Sequence, residues 1–175
     1  LGGMSRNFHR AIDRYILKRG VPPIVANSWE ATFFDFDTKK LFGFIDGLKE
    51  LNIDTFVLDD GWFGRRDSDR TSLGDWKVNT KKLVGGLEPV INKCKENGLK
   101  FGIWIEPEMI SEESELYTLH PDWAVKSKFL KPRTSRNQLV LDLTRKEVLD
   151  YLKSTFYALL KNHDISYVKW DMNRP

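Results

Sequence analysis

Lys169 and Asp171 stand two residues apart in the run Tyr167-Val168-Lys169-Trp170-Asp171-Met172-Asn173. The run is β-branched and aromatic, a composition that suits a strand. Side chains alternate faces along a strand, so the lysine and the carboxylate share one face and Trp170 takes the other. Two readings stand. One is a structural ion pair at a strand end. The other is a polar pocket in which a nearby cation keeps Asp171 ionised. An ionised carboxylate among aromatic rings is what a retaining glycosidase uses as its nucleophile. Such an enzyme also needs a second carboxyl about 5–5.5 Å away as acid and base, and spacing alone does not identify it.

Further polar residues end other apolar runs. Trp29 and Glu30 follow Ile24–Ser28, Asp59 and Asp60 follow Thr55–Leu58, and Glu106 and Glu108 follow Lys100–Ile105. Acids at several strand ends, flanked by tryptophans, permit two chemistries. Carboxylates can hold magnesium or manganese. They can equally accept sugar hydroxyls while aromatic rings cover the apolar face of the sugar. Lys169 and Arg136 argue against a bare cation site, and His9, His120 and His163 are too scattered to suggest a histidine metal cluster. No glycine-rich phosphate loop follows a strand, and no serine sits in a nucleophile elbow.

The elements that must position these residues alternate. Phe8, Ala11, Ile12, Tyr15 and Ile16 fall on one face of a basic helix that Gly20 ends, before the stiff pair Pro22-Pro23. A buried strand is expected from Ile24 to Trp29. Thr38 is expected to cap a helix over 39–51, with Leu41, Phe44, Ile45 and Leu48 on its apolar face. The strand 55–58 follows, then a polar loop to about residue 80. Gly85-Gly86 precede a helix that buries Leu87, Val90, Ile91 and Cys94, and 100–105 form a third strand. Residues 111–136 read as irregular and 138–143 as a short extra strand. Thr144 is expected to cap a long helix with Val148, Leu152, Phe156 and Leu159 inward. The strand carrying Lys169 and Asp171 comes last.

This is the grammar of a parallel α/β sheet, either doubly wound or a (β/α)8 barrel. An open sheet gathers its site near one switch point, whereas a barrel builds it from several strand ends. The spread of candidates over four strand ends favours the barrel, and four strands are half of one. The expected organisation is a linker helix over 1–21 from an absent N-terminal domain, then the first half of a barrel over 22–175.

Composition narrows the class. The chain has 175 residues, a net charge of +3, six tryptophans and eleven phenylalanines. That aromatic load suits a large core, a carbohydrate-facing cleft or both. The small, mixed charge offers no case for nucleic acid, and no apolar run is long enough to span a bilayer. Cys94 is the only cysteine, so an intrachain disulfide is excluded. A cytoplasmic location and no cofactor or metal are expected. The start at Leu1 and the stop after a strand suggest a piece of a longer protein.

Five motifs in order carry a family resemblance. They are Asn27-Ser28-Trp29-Glu30-Ala31, Leu58-Asp59-Asp60-Gly61-Trp62-Phe63, Trp104-Ile105-Glu106-Pro107-Glu108-Met109, Arg136 through Asp142, and Lys169-Trp170-Asp171-Met172-Asn173-Arg174. The chain closely resembles the bacterial α-galactosidases of glycoside hydrolase family 36. The resemblance implies retaining hydrolysis of terminal α-galactosides such as melibiose and raffinose. It implies Asp171 as nucleophile and Trp29, Asp59, Asp60, Trp104, Arg136, Lys169 and Asn173 as sugar-binding residues. The family's acid/base is an aspartate on a later strand, beyond residue 175, so the isolated chain is expected to be inactive. Transglycosylation, α-N-acetylgalactosaminidase activity and a non-catalytic galactose-binding piece are the alternatives. The parent is expected to be a homo-oligomer, and the exposed barrel edges are expected to make the fragment self-associate.

Overall fold

The computed structural model describes residues 2–15, 22–126 and 134–173. Ile16 and Gly20, expected on the apolar face and at the end of the first helix, lie outside them. The strands are β1 (Val25–Asn27), β2 (Thr55–Leu58), β3 (Lys100–Ile105), β4 (Met109–Ser111), β5 (Gln138–Val140) and β6 (Tyr167–Trp170). The helices are α1 (Gly2–Tyr15), α2 (Trp29–Thr32), α3 (Thr38–Gly47), α4 (Glu88–Glu96), α5 (Glu115–Leu119) and α6 (Lys146–Asn162), with one 3-10 turn at Pro121–Trp123. Among these residues no helix is long and apolar enough to cross a membrane.

Four strands form one parallel sheet in the order β1-β2-β3-β6. The two central strands are covered on both faces. All four residues of β2 are buried, and so are Phe101 to Ile105 of β3. That burial explains their unbroken apolar runs. The edges differ: β6 alternates half-buried and exposed residues, and β1 is only half-buried. The expected buried strand over 24–29 is thus a three-residue edge. Trp29 leaves it because its N–H donates to Asn27 Oδ1 (2.8 Å). That local turn opens α2.

α3 and α4 pack the core with the residues their periodicity marks. Leu41, Ile45, Val90, Ile91 and Cys94 are fully buried. Burial pushes the Cys94 thiol up to about 12, so it is a packing residue with no thiolate chemistry. Two expected caps are displaced. Asp37, and not Thr38, caps α3 by accepting from the Lys40 N–H at 2.7 Å. Thr38 Oγ1 instead accepts from Val84 N–H (3.0 Å) and donates to the Lys82 carbonyl (3.3 Å). Arg145 is the N-cap residue of α6, because Asp142 Oδ1 draws both Thr144 N–H and Thr144 Oγ1 into a turn before the helix.

The segment expected to be irregular contains structure. β4 and β5 pair antiparallel, and Ser114 caps α5 by accepting from Tyr117 N–H (3.0 Å). A second core of Ile110, Leu116, Trp123, Leu139, Leu141, Val148 and Leu152 holds this lobe against α6. β5 is entered through Ser135–Gln138, a two-residue turn with positive φ at both Arg136 (50°) and Asn137 (61°). That pairing of backbone angles matches the right-handed twist of a hairpin.

Gly102 lies where the sheet is tightest. A Cβ there would meet Val57 Cγ2 at 2.9 Å, Tyr167 Cβ at 3.0 Å and the Tyr167 carbonyl at 3.1 Å. Gly102→Ala is expected to destabilise the protein by about 1–3 kcal/mol through overpacking. Urea unfolding should show a lower midpoint at an unchanged slope, and an unchanged midpoint would contradict this packing.

Candidate active site

Parallel register brings the strand-end residues to one level. Leu58 aligns with Ile103 and Ile103 with Val168, so Asp59, Trp104 and Lys169 stand side by side one residue on. Lys169 and Asp59 project from the same face. The Lys169 ammonium therefore spans β3 and donates to Asp59 Oδ2 at 2.6 Å. Asn27 Nδ2 donates to the same oxygen at 2.6 Å, and Asp59 Oδ1 accepts the Asp60 N–H at 2.8 Å. Asp59 is 3% exposed, so these donors replace water around a buried anion.

Asp171 follows β6, where its N–H donates to the Ile105 carbonyl at 2.8 Å and extends the ladder past the strand. Its carboxylate is half-buried. Oδ2 accepts from Asn173 Nδ2 (2.8 Å) and from the Trp104 indole N–H (3.2 Å), and Oδ1 accepts from Met172 N–H (2.9 Å). Burial pushes this carboxyl up, but the Asn173, Met172 and Trp104 hydrogen bonds and the Lys169 charge outweigh it. The group is held below its ordinary value, which favours the anion.

A second network runs through buried side chains. Arg66, wholly buried, forks onto Asp60: Nε donates to Oδ1 at 2.9 Å and Nη2 to Oδ2 at 2.8 Å. Its Nη1 donates to the Thr71 carbonyl at 2.9 Å. The Gln138 amide is oriented so that its oxygen accepts from Arg66 Nη2 (3.1 Å) and its nitrogen donates to Glu106 Oε2 (3.2 Å). Glu106 Oε1 in turn accepts from both Asn173 N–H (2.7 Å) and Asn173 Nδ2 (2.9 Å). Burial holds the Asp60 and Glu106 carboxyls above their ordinary values, against the pull of Arg66 on one and of Asn173 on the other.

Six of the eight candidates thus share one connected site: Asp59, Asp60, Trp104, Lys169, Asp171 and Asn173. Trp104 is 2% exposed, so it presents an indole N–H to Asp171 and offers no open face for a sugar to stack on. Trp29 is half-buried at the end of β1, with Phe33 and Phe34 edge-on at 5.2 and 5.1 Å. Arg136 is exposed on the turn before β5, and among the described residues no hydrogen bond ties it to the others. Asn27, Arg66 and Gln138 join the network without having been singled out. Asn27 and Gln138 lie inside motifs. Arg66 carries no local signal, since nothing separates it in sequence from the exposed Arg65 and Arg70. Among the described residues no group of three acidic, histidine or cysteine side chains could hold a metal ion.

The Arg66–Asp60 pair sets a stability expectation. Arg66→Met leaves a buried carboxylate without its cation and is expected to cost about 3–5 kcal/mol at neutral pH. Asp60, already above its ordinary value, would rise further. A carboxyl raised in the folded state favours folding as it takes up its proton, so the loss should shrink as pH falls through the raised value. Denaturant melts at pH 8 and pH 5 check this. A loss under about 1 kcal/mol that is the same at both pH values would contradict the pairing.

The Melibiase family model matches residues 1–175. The α-galactosidase AgaA of Geobacillus stearothermophilus is 49% identical over 179 residues, 99% of this chain and 24% of the relative. The α-galactosidase Mel36A of Lactobacillus acidophilus is 49% identical over 178 residues, again 99% and 24%. The bifunctional α-galactosidase/sucrose kinase AgaSK of Mediterraneibacter gnavus is 47% identical, over 99% of this chain and 19% of its own length. The crystal structure of a single-substitution variant of the GH36 α-galactosidase AgaA from Geobacillus stearothermophilus, in complex with 1-deoxygalactonojirimycin, superposes with a TM-score of 0.89 at 48% identity, over 97% of this chain and 24% of that one. The chain spans about a fifth to a quarter of the length of these relatives. It belongs to the Melibiase family.

Proposed function

We propose that the protein carrying this chain is a retaining α-galactosidase that cleaves terminal α-galactosides of the raffinose type. The observation that carries the reading is Asp171: a half-buried carboxylate at a strand's C-terminal end, held ionised by Asn173, Met172, Trp104 and Lys169. Family membership supports it, as do the names of the relatives and the AgaA structures described as complexes with raffinose and with stachyose.

In this reading an Asp171 oxygen attacks the anomeric carbon and the glycosidic C–O bond breaks. The leaving oxygen takes a proton from a general acid, which we place outside residues 1–175. Water, deprotonated by the same group, then cleaves the galactosyl ester and releases galactose with its configuration retained. We assign Asp59, Asp60, Lys169, Arg136, Asn173 and Trp29 to the sugar. A carboxylate has about four acceptor sites, so Asp60 can take a hydroxyl while Arg66 holds it. Trp104 and Lys169 keep the nucleophile anionic.

Asp171→Asn in the intact protein is expected to lower kcat on an aryl α-galactoside by about a thousandfold or more. An α-galactoside with a very good leaving group should leave a galactosyl adduct on Asp171 by intact mass and peptide mapping. An adduct on another carboxylate would move the nucleophile. Hydrolysis and transfer are separated by products from raffinose alone and with an added acceptor.

We further propose that residues 1–175 alone self-associate. β1 and β6 are open edges, and beside β6 the exposed Val168 and Trp170 adjoin Ile105, Pro107, Leu149 and Phe156 in an apolar groove. Light scattering on the isolated chain is expected to give a dimer or larger species, and a monodisperse monomer would count against it.

A further inference from the structure

We propose that Glu106 is the positioning residue of the nucleophile, acting through Asn173. The inference rests on Asp171 being the nucleophile, and it gives a role to a carboxylate that the substrate does not need to touch.

The geometry is a clamp. Beyond β6 the chain leaves the sheet, and Glu106 Oε1 takes both the backbone N–H (2.7 Å) and the side-chain amide (2.9 Å) of Asn173. An asparagine amide nitrogen has two protons. One goes to Glu106, and the other is thereby aimed at Asp171 Oδ2 at 2.8 Å. Both neighbours of that nitrogen are acceptors, so the amide has one orientation and cannot turn its oxygen toward Asp171. Oδ2 also receives the Trp104 indole N–H, and Oδ1 the Met172 N–H. The plane of the nucleophile is therefore set by donors on β3 and on its own loop, and Glu106 fixes the loop donor.

Glu106 is an expensive way to brace a loop. It is 1% exposed, and the Asp171 and Asp60 charges lie on its side of the site. Its other oxygen is met by Gln138, whose amide relays the positive charge of Arg66. Buried charge of this kind adds little to stability compared with an apolar replacement, whereas breaking it misdirects its partners. Nucleophile placement is what it delivers here, since displacement of a reacting group by an ångström costs large factors in rate.

The test is a double-mutant cycle in the intact protein: Glu106→Ala, Asn173→Ala and both together. Burst release from an aryl α-galactoside gives the galactosylation rate, KM is read in the same assay, and thermal melts report folding. Each single substitution is expected to slow galactosylation about 10–100-fold, Glu106→Ala with KM within about threefold, and the double should be no more than about threefold slower than Asn173→Ala. Glu106→Gln, which keeps an acceptor for Asn173, should recover most of the rate. Multiplicative losses, or a lowered melting temperature with unchanged rate per folded molecule, overturn the proposal. Should Glu106→Ala fail to fold, the cycle of Glu106→Gln with Asn173→Ala decides by the same criterion: any rate loss from Glu106→Gln must vanish beside Asn173→Ala. A wild type that releases no aryl alcohol overturns the α-galactosidase reading and this one with it; an active wild type with independent effects overturns this one alone.

Discussion

The arrangement depends on one buried cation. Arg66, on the loop after β2, meets Asp60 with two nitrogens, and both partners are buried. Its position is fixed from the other side as well, because Lys82 Nζ donates to the carbonyls of Arg66 (2.7 Å), Phe34 (2.9 Å) and Gly61 (3.3 Å). The guanidinium is planar and always charged, so it can bind a carboxylate with a fork and still reach an amide. Here that amide is Gln138, delivered by a small hairpin far along the chain. Without the cation, Asp60 would lose the pull that opposes its burial, beside Glu106 in a dry place.

Charge is therefore distributed in two tiers. The upper tier, Asn27–Asp59–Lys169, reaches partly into solvent through the lysine, which is 40% exposed at its side chain. The lower tier, from Arg66 and Asp60 through Gln138 and Glu106, is buried as far as the half-buried Asn173. Asp171 sits where they meet. It receives hydrogen bonds from the lower tier and charge from the upper one, and this combination keeps a half-buried carboxylate ionised. A network of this kind can specify geometry only when its members are satisfied, and each carboxylate in it has a donor on both oxygens or a cation.

The aromatic core ties the network to the fold. Trp62 is wholly buried, and its indole N–H donates to the Trp104 carbonyl at 2.9 Å, while Trp104 spends its own N–H on Asp171. Phe63 lies parallel to Trp104 at 6.2 Å, and Trp76 bridges these rings to Phe156 on α6 at 5.1 Å. Large rings in defined contacts leave little room for rotamer exchange. The indole N–H that faces Asp171 is thus mounted on a ring packed within the buried aromatic core. The aromatic load seen in the composition serves that core at Trp62, Trp76 and Trp104, and leaves Trp29 as the half-buried ring at the site.

The sequence by itself determined the alternation of strands and helices, the two central strands, the packing faces of α3, α4 and α6, and the strand-end positions of Asp59, Asp60, Lys169 and Asp171. Those features rest on local periodicity and on side chains alternating along a strand, which any window of the chain displays. Tertiary structure decided the rest. Asp37 took the cap from Thr38 because Thr38 was needed by the Lys82–Val84 segment, and β4 and β5 are too short for a period to show. The pairing of Arg66 with Asp60, the reach of Gln138 to Glu106 and the clamp of Glu106 on Asn173 join residues between 6 and 67 positions apart. Which donor meets which buried acid is settled by strand register and loop path, and neither is written in the neighbourhood of the residues concerned.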